Sequence, residues 1–296
     1  MTTLSAALGR ATSILEDAEK PEARLEAEVL LMHLLGLSRA QLYSRWTDPL
    51  NAAHESTLEE LVARRQSGEP LAYITGHREF FGLDLVVDRR VLIPRPETEL
   101  LVESALSWLN ARPDAPKLIA DVGTGSGAIA VSLAFHCPDV VVYATDIAAE
   151  ALDVARCNAI RHRVEDRVIP LQGDLLAPLP GPVDLLIANL PYVKEADLPR
   201  WCGAAQVELG WEPEVSLSGG PDGLDLVRRF LAQAPGYLRP GGALFMELGW
   251  DQARQVCELA RSSFPEAQVS RHKDLAGLDR MVAVLNPVGR RERTVG

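Results

Sequence analysis

From Lys117 onward, short apolar runs alternate with stretches that have helical periodicity. Such strand–helix alternation places consecutive strands in parallel in one sheet, with helices on both faces. A parallel strand buried on both faces is apolar throughout rather than alternating, and these runs have that character. The chain is therefore predicted to contain an α/β domain with a Rossmann-like, doubly wound sheet. The runs are KLIADVG, VVVYATDI, VIPLQGD, DLLIANLPY, ALFMELG and RMVAVLN.

The fourth run, residues 184–192, stops abruptly in a polar pattern. Pro191 has no N–H to donate to a strand ladder, so the strand must end before it. Open α/β sheets bind their ligands at the carboxyl ends of their strands, which is where Asn189 and Tyr192 are expected. An ordinary Asn/Pro turn is the alternative interpretation of the same residues.

A glycine-rich segment, Asp121–Gly127 (DVGTGSG), follows the first run and opens a predicted helix. Glycines let the backbone approach a ligand closely, and the helix N-terminus offers unpaired N–H groups. Asp146 ends the second run, nineteen residues beyond Gly127. A carboxylate there can accept both hydroxyl protons of a ribose. Together these features predict a cofactor that contains adenosine.

The identity of that cofactor depends on two acidic residues. Residues 123–128 also fit the G-x-G-x-x-G/A pattern of dinucleotide-binding proteins. However, the charge of Asp121 would oppose a pyrophosphate and would suit a sulfonium or an ammonium group. Asp174, at the end of the third run, is suited to hydrogen-bonding an adenine amino group. We expect S-adenosylmethionine; an NAD-dependent oxidoreductase and a non-catalytic cofactor-binding protein are the competing hypotheses.

The first 68 residues are predicted to form a small all-helical domain, because their leucines recur at a spacing close to the helical period. Gly36 is a predicted helix end and Ser38 a predicted N-cap, while Thr57 with Glu60 is expected to begin another helix. The remaining divisions are a β-hairpin linker over 69–95 around Gly82, the sheet domain over 96–286 and a flexible tail over 287–296.

Composition limits the classes of partner. The 296 residues carry a net charge of −11, whereas a protein that mainly binds bare nucleic acid needs clustered Lys and Arg. No apolar run approaches the ~20 residues needed to span a bilayer, and no signal pattern opens the chain. We therefore expect a cytoplasmic protein. The four cysteines and six histidines are scattered, so no metal site is expected.

The segments DVGTGSG, TDI, GDLL and NLPY, in this order, resemble the class I S-adenosylmethionine-dependent methyltransferases. Four further segments, containing IPRPETELLVE, WEPEVSLSGGPDGLDL, LRPGGALFMELG and KDLAGLDRMV, resemble the release-factor glutamine methyltransferases, the PrmC/HemK family. The resemblance covers roughly residues 68–286, and a preceding helical domain of this size also matches. It implies methyl transfer from S-adenosylmethionine to the side-chain amide nitrogen, N5, of the Gly-Gly-Gln glutamine in class 1 peptide chain release factors. Those factors are the expected partners; neither a stable nucleic-acid partner nor a membrane is expected.

The resemblance also implies roles for individual residues. Asn189 belongs to both the cofactor and the acceptor side of the site. The implied cofactor-binding residues are Asp121, Gly123, Thr124, Gly125, Ser126, Gly127, Asp146, Ile147, Asp174, Leu175 and Asn189. The implied catalytic residues, which also bind substrate, are Asn189, Leu190, Pro191 and Tyr192, with Phe80, Arg95 and Glu97 bordering the pocket.

The chemistry explains why such an acceptor site needs Asn189. A carboxamide nitrogen is a poor nucleophile because its lone pair is delocalised into the carbonyl group. The Asn189 Oδ1 atom and the Leu190 carbonyl oxygen can each accept a hydrogen bond from one of the two N–H groups of the substrate amide. These bonds position the amide nitrogen and favour positive charge on it. Tyr192 can stack on the planar amide, and Pro191 stiffens the turn. No general base is required, because the methylated nitrogen loses its proton to water.

Leu190 is the one departure from the family pattern. The usual tetrapeptide is N-P-P-Y, and N-L-P-Y is also the form seen in some adenine-N6 methyltransferases that act on ribosomal RNA. Both substrates present a planar NH₂ group, so one pocket chemistry serves either. An adenine-N6 methyltransferase acting on RNA or DNA is therefore the alternative function at this stage.

Overall fold

The computed structural model describes residues 2–112, 117–198 and 207–288. The chain forms two compact units, Met1–His77 with Cys202–Trp211 and Arg78–Trp201 with Glu212–Gly296. None of the helices in the described ranges is both long and apolar enough to cross a membrane. The predicted tail lies outside these ranges from residue 289 onward.

The first unit is helical over its described residues, as the leucine spacing predicts. α2 ends in a left-handed Gly36, and the Ser38 hydroxyl caps α3, which confirms both predicted boundaries. The predicted helix start at Thr57 is wrong, because the Asn51 side chain caps α4 by accepting the His54 N–H at 2.8 Å. The helices are α1 (Leu4–Asp17), α2 (Ala23–Leu35), α3 (Arg39–Ser44), α4 (Ala52–Gln66) and α5 (Leu71–Thr75).

The segment predicted as a hairpin linker, 69–95, divides between the two units. Its first part forms α5, which belongs to the helical unit. A hairpin follows, with β1 (His77–Phe80) and β2 (Leu83–Val86) on either side of Gly82, as the sequence predicts. Leu83 and Leu85 are buried in the same core as the first helix of the second unit. The hairpin is therefore part of that unit's core rather than a spacer.

The second unit is built on a sheet whose order, in the described residues, is β5-β4-β3-β6-β7-β9-β8. Strands β3 to β7 are parallel, β9 runs antiparallel to β7, and β8 runs antiparallel to β9. This topology confirms the predicted α/β, doubly wound class. The strands are β3 (Lys117–Val122), β4 (Val140–Asp146), β5 (Val168–Gln172), β6 (Val183–Ala188), β7 (Leu238–Glu247), β8 (Gln268–Lys273) and β9 (Asp279–Leu285).

Helices cover both faces of this sheet and explain why its strands are apolar throughout. In β6, Leu185 and Ile187 pack in one core with α6 and α7, whereas Leu186 and Ala188 pack in the opposite core with α9 and α10. Successive side chains of a strand point to opposite faces, so both faces need apolar residues. The helices are α6 (Glu99–Asn110), α7 (Ala128–His136), α8 (Ala149–Arg161), α9 (Asp225–Tyr237) and α10 (Ala253–Ser263).

Strand β8 is not predicted from the sequence. Its six residues, QVSRHK, are mostly exposed, because the strand pairs only with β9 at one edge of the sheet. An edge strand tolerates polar and charged side chains, so it lacks the apolar run by which the inner strands are recognised. The antiparallel pairing of β7 with β9 was likewise not predicted from the sequence.

The strand order determines where a site can form. From β3 the chain moves outward through β4 to β5, then returns to β6 and continues outward through β7 on the other side. The order therefore reverses between β3 and β6, and ligands of open α/β sheets bind at such a reversal. The parallel strands bring to this edge the Asp121–Gly127 loop, Asp146, Asp174, Asn189 and Glu247.

Candidate functional site

A cavity of about 180 Å³ opens at this carboxyl edge of the sheet. It is lined by segments that follow β3, β4, β5 and β6, as expected for a site at the reversal of strand order. Residues singled out from the sequence that line it are Gly123, Gly125, Asp146, Ile147, Asp174, Leu175, Asn189, Leu190 and Pro191. Lining residues that the sequence reasoning missed include Arg90, Val91, Leu92, Pro213, Val215, Ser216, Leu226 and Arg229.

The glycine-rich loop is anchored to the neighbouring strand through its backbone. The N–H groups of Gly123 and Thr124 both donate to the Thr145 carbonyl oxygen at 2.9 Å. Gly123 has φ 74°, in the left-handed region, and a Cβ atom there would lie 3.3 Å from Leu190 Cδ2. Glycine thus permits both the turn and the close packing of the loop on the Asn189–Tyr192 segment.

Asp121 lies beneath the loop and does not line the cavity. Its side chain is buried, and Oδ2 accepts hydrogen bonds from Thr124 Oγ1 at 2.6 Å and from the Ala130 N–H at 3.1 Å. Within the described part of the chain, Oδ1 has no hydrogen-bond partner. Burial raises the pKa of Asp121 to about 6, although the bonds from Thr124 and Ala130 lower it. The side chain therefore fixes the loop from below and keeps one acceptor oxygen spare.

Asp146 joins the glycine-rich loop to the end of β4 and also lines the cavity. Its Oδ2 accepts the Gly125 N–H at 2.9 Å, and its Oδ1 accepts the Ala148 N–H at 3.0 Å. A carboxylate has about four lone-pair sites, so each oxygen retains capacity for a further donor. This geometry suits a diol such as the two hydroxyls of a ribose.

The far end of the cavity is formed by Asp174 and Leu175. Asp174 pairs with Arg229 of α9, and both side chains are about half exposed. Leu175 adopts φ 51°, and its carbonyl oxygen accepts the Thr145 hydroxyl at 3.0 Å. The ion pair is too exposed to contribute much stability, but it fixes a carboxylate at the rim.

The acceptor side is a network of side chains around Glu247, the last residue of β7. Asn189 Nδ2 donates to Thr98 Oγ1 at 3.1 Å, and the Thr98 hydroxyl donates to Glu247 Oε2 at 2.7 Å. The Tyr192 hydroxyl donates to Glu247 Oε1 at 3.3 Å. Thr98 and Glu247 are 5% and 2% exposed, so the bond between them is shielded from water, whereas Asn189 and Tyr192 are half-buried. We call Asn189, Thr98, Glu247 and Tyr192 the acceptor network.

The electrostatics of this network follow from its burial. Burial raises the pKa of Glu247 to about 7, against the opposing effects of the Thr98 bond and the Arg280 charge. Burial and then the Glu247 charge raise the pKa of Tyr192 above its ordinary value. Tyr192 is therefore a neutral donor at physiological pH, whereas Glu247 is ionised only above neutrality.

Three residues implied by the resemblance do not line the cavity. Phe80 is 1% exposed and packs in the core, because the apolar side of the hairpin faces α6 and α7. Arg95 forms an ion pair with Glu212 at 2.5 Å. Glu97 is exposed and borders a separate groove that contains Lys273 and Leu275.

Four other implied residues support the cavity without lining it. Thr124 and Ser126 are buried in the loop, Gly127 is the N-cap of α7, and Tyr192 points its hydroxyl at Glu247. The stacking role expected for Tyr192 stays a prediction. No group of three or more His, Cys, Asp or Glu side chains within the described ranges could hold a metal ion.

Thr98 and Glu247 are site residues that sequence reasoning missed. A signal for Glu247 exists: like Asp121 and Asp146, it is an acid at or near the end of a buried apolar strand. Charged residues are rarely buried unless they have a partner, so an acid in that position indicates a role. Thr98 follows Glu97 in the segment IPRPETELLVE that carries the resemblance, but it lies 91 residues from Asn189 in sequence, so nothing in the sequence links the two side chains.

Comparison with known proteins shows similarity along most of the chain. Residues 6–76 match the family described as PrmC N-terminal domain, and residues 98–202 match the methyltransferase small domain. The release factor glutamine methyltransferase of Bordetella pertussis is 48% identical over 260 residues, covering 87% of this chain and 93% of that protein. That of Moorella thermoacetica is 46% identical over 281 residues, covering 94% and 96%.

A solved structure shares the fold. The methyltransferase from Pyrococcus furiosus superimposes with a TM-score of 0.50 at 17% identity, covering 79% of this chain and 100% of that one. At this level of identity the likeness concerns the architecture alone.

Proposed function

The chain belongs to the release factor glutamine methyltransferase family, and from this premise we propose that its acceptor is the Gly-Gly-Gln glutamine of class 1 release factors, methylated at N5. It is an S-adenosylmethionine-dependent enzyme, as its relatives and its methyltransferase domain imply. The observation that carries the site assignment is the contact between the glycine-rich loop and the Asn189–Tyr192 segment at the cavity. The segments proposed to bind the methyl donor and the methyl acceptor are thereby held side by side.

The residues around the cavity fit the methyl donor. Asp146 has spare lone pairs for the ribose hydroxyls, Asp174 and Leu175 border the adenine end, and the Gly123–Gly127 loop leaves room that side chains would fill. S-adenosylmethionine, when bound, supplies a methyl group on a positively charged sulfur. Asp121 contributes negative charge beneath the loop, which favours a cationic ligand over a pyrophosphate.

Asn189 and Leu190 are proposed to hold the acceptor amide. Asn189 Nδ2 donates a hydrogen bond to Thr98, so Asn189 Oδ1 can accept a hydrogen bond from the N–H group of the substrate. Leu190 acts through its carbonyl oxygen, and its side chain is buried beside Gly123. Leucine in place of the family's usual proline therefore keeps the acceptor group that the chemistry uses. Two acceptors select for NH₂ and stabilise positive charge as it develops on nitrogen.

The proton released by the methylated amide does not need a base from the chain. Both oxygens of Glu247 are already engaged, by Thr98 and by Tyr192. The methylated nitrogen is acidic enough to lose its proton to water. We assign Glu247 no proton-transfer role.

The relatives distinguish the two functions that the tetrapeptide leaves open. Both relatives compared above are named for glutamine in release factors, and neither for adenine. The net charge of −11 is also unfavourable for a nucleic-acid substrate. We propose a protein substrate, no stable nucleic-acid partner, and action in the cytoplasm, where release factors work.

The test is incubation of the full chain with labelled S-adenosylmethionine and a bacterial class 1 release factor. We expect label on the intact factor, at glutamine N5 by mass spectrometry, and none when that glutamine is changed to alanine. The same reaction with ribosomal RNA is the control for the adenine hypothesis. Equal labelling of the alanine variant, or labelling of RNA alone, would contradict the proposed function.

A further inference from the structure

The orientation of the Asn189 side chain decides whether it can bind an amide NH₂ group. A carboxamide has an oxygen that accepts and a nitrogen that donates, and a half-turn of the side chain exchanges them. Only the orientation with Oδ1 toward the cavity accepts a hydrogen bond from the substrate N–H. The other orientation turns the two N–H groups of Asn189 toward the N–H groups of the substrate, and no hydrogen bond can form. Some feature of the site must therefore select one orientation.

Thr98 and Glu247 provide this selection through the direction of their hydrogen bonds. Above its pKa of about 7, Glu247 is ionised and can only accept, so the single proton of the Thr98 hydroxyl is then committed to Glu247 Oε2 at 2.7 Å. Thr98 Oγ1 can then only accept from its other neighbour, which lies 3.1 Å away. That neighbour must be Asn189 Nδ2, and Oδ1 is consequently directed away from Thr98.

Thr98 and Glu247 are both held in place by the surrounding structure, as the orientation of Asn189 requires. Thr98 ends a short 3₁₀ turn, Pro96–Thr98, immediately before α6, and Glu247 pairs with Met281 across the sheet. The second oxygen of Glu247 is occupied by the Tyr192 hydroxyl, and this bond restrains the carboxylate from rotating. Burial strengthens the Thr98–Glu247 bond, because both of its side chains are shielded from water.

We propose that Thr98 and Glu247 are positioning residues that orient Asn189, so that its Oδ1 atom faces the acceptor amide. This inference rests on the proposed function, since it concerns the same acceptor. Neither residue touches the substrate; both act through Asn189.

A matched pair of variants at Thr98 tests the hydroxyl. Thr98→Val keeps the branched shape and removes the hydroxyl, whereas Thr98→Ser keeps the hydroxyl. We expect Thr98→Val to lower kcat on a release factor by about 10- to 100-fold, because a misplaced contact of this kind has such an effect. Thr98→Ser should stay within about threefold of the wild type. Affinity for S-adenosylmethionine, measured by calorimetry, should not change in either variant.

A second pair tests why Glu247 is needed. Glu247→Gln can still accept the Thr98 proton and donate to Tyr192, whereas Glu247→Met fills the space and accepts nothing. At pH 8, above the pKa of Glu247 of about 7, we expect the Gln variant to retain most of the activity and the Met variant to lose about tenfold. Equal losses in both would show that Glu247 acts through its charge, which would overturn the inference.

The outcomes separate this inference from the proposed function. If the wild type fails to methylate the release factor, the function is wrong. If the wild type is active and Thr98→Val matches it, the orientation role is wrong while the function stands. If Thr98→Val and Thr98→Ser lose equally, or donor affinity falls with kcat, the role is structural and the inference fails.

Discussion

The proposed donor side and the proposed acceptor side of this cavity are built in different ways. On the donor side, the N–H groups of Gly123, Thr124 and Gly125 bind the Thr145 carbonyl and the Asp146 carboxylate. On the acceptor side, side chains bind side chains, and the Thr98–Glu247 bond joins residues 149 positions apart. One half is built mainly from backbone N–H groups, as in the Gly125–Asp146 bond across 21 positions, and the other from side chains 55 to 149 positions apart.

This difference predicts how each half responds to change. A loop held by backbone hydrogen bonds tolerates most side-chain replacements. It loses its conformation when a glycine or the acid that binds its N–H groups is replaced. In a network of buried side chains each bond fixes the next, so the loss of one member disturbs all the others. Substitutions on the acceptor side should therefore affect turnover, and those on the donor side affinity for the methyl donor.

The largest expected effect is at Asn189. We predict that Asn189→Ala lowers kcat by ~10²-fold or more, on the scale of removing one preorganised polar group from an active site. S-adenosylmethionine affinity, measured by calorimetry, should change little, because the loop contacts remain. A loss confined to donor affinity would contradict the division between the two sides.

Asp146→Ala should lower the affinity for S-adenosylmethionine and leave kcat largely unchanged, the opposite of Asn189→Ala. Removal of the carboxylate is expected to weaken S-adenosylmethionine binding by ~1.5–3 kcal/mol, the scale of hydrogen bonds to a charged group. Because Asp146 also binds the Gly125 N–H, part of this loss will come from a looser loop. At saturating donor, kcat should largely recover. Unchanged affinity would place the ribose-binding acid elsewhere.

The buried acid of the acceptor network should make stability depend on pH. The pKa of Glu247 is raised to about 7 in the fold, so the folded state retains its proton to a higher pH than the unfolded chain does. Its contribution to stability is complete below the unfolded pKa of ~4.3 and is lost as pH rises through about 7. The free energy of unfolding should fall by about 1 kcal/mol per pH unit between pH 5 and pH 7.

Urea unfolding at several pH values checks this slope. Glu247→Gln should remove the Glu247 part of this slope, which extends to about pH 7, whereas Asp121→Asn should remove a separate part at lower pH, because the Asp121 pKa is about 6. The two variants thereby compare the acid of the acceptor side with that of the donor side. Identical profiles for wild type and both variants would show that neither acid is protonated in the fold.

The smallest expected effect concerns Gly123. Gly123→Ala forces an alanine into a left-handed conformation and against Leu190, which should cost about 1–2 kcal/mol of stability and weaken donor binding severalfold. Gly277→Ala is the matched control, since Gly277 has φ 78° and open space around its Cβ position. The control should lose stability alone. Equal donor affinity in both variants would show that the Leu190 contact is unimportant.

The sequence was informative where local patterns determine structure. Apolar runs predicted the inner strands, and the glycine-rich loop with Asp146 predicted the donor side, since both depend on residues near in sequence. It was uninformative for β8, whose exposed edge position removes the apolar pattern. The resemblance placed Phe80 at the border of the pocket, whereas its side chain is 1% exposed and packs in the core. Thr98 lies in a segment that carries the resemblance, but its bonds to Asn189 and Glu247 could not be predicted, because they form only when β6 and β7 bring those residues together.

Leu190 links the two halves of the cavity. Its side chain packs beside Gly123 of the donor loop, and its backbone belongs to the acceptor segment. Any shift of the loop on donor binding would therefore move a group that is proposed to contact the acceptor. Affinities coupled through one shared residue obey thermodynamic reciprocity: the factor by which donor changes acceptor affinity equals the factor by which acceptor changes donor affinity. A Leu190 substitution is therefore expected to change both affinities through this one packing contact.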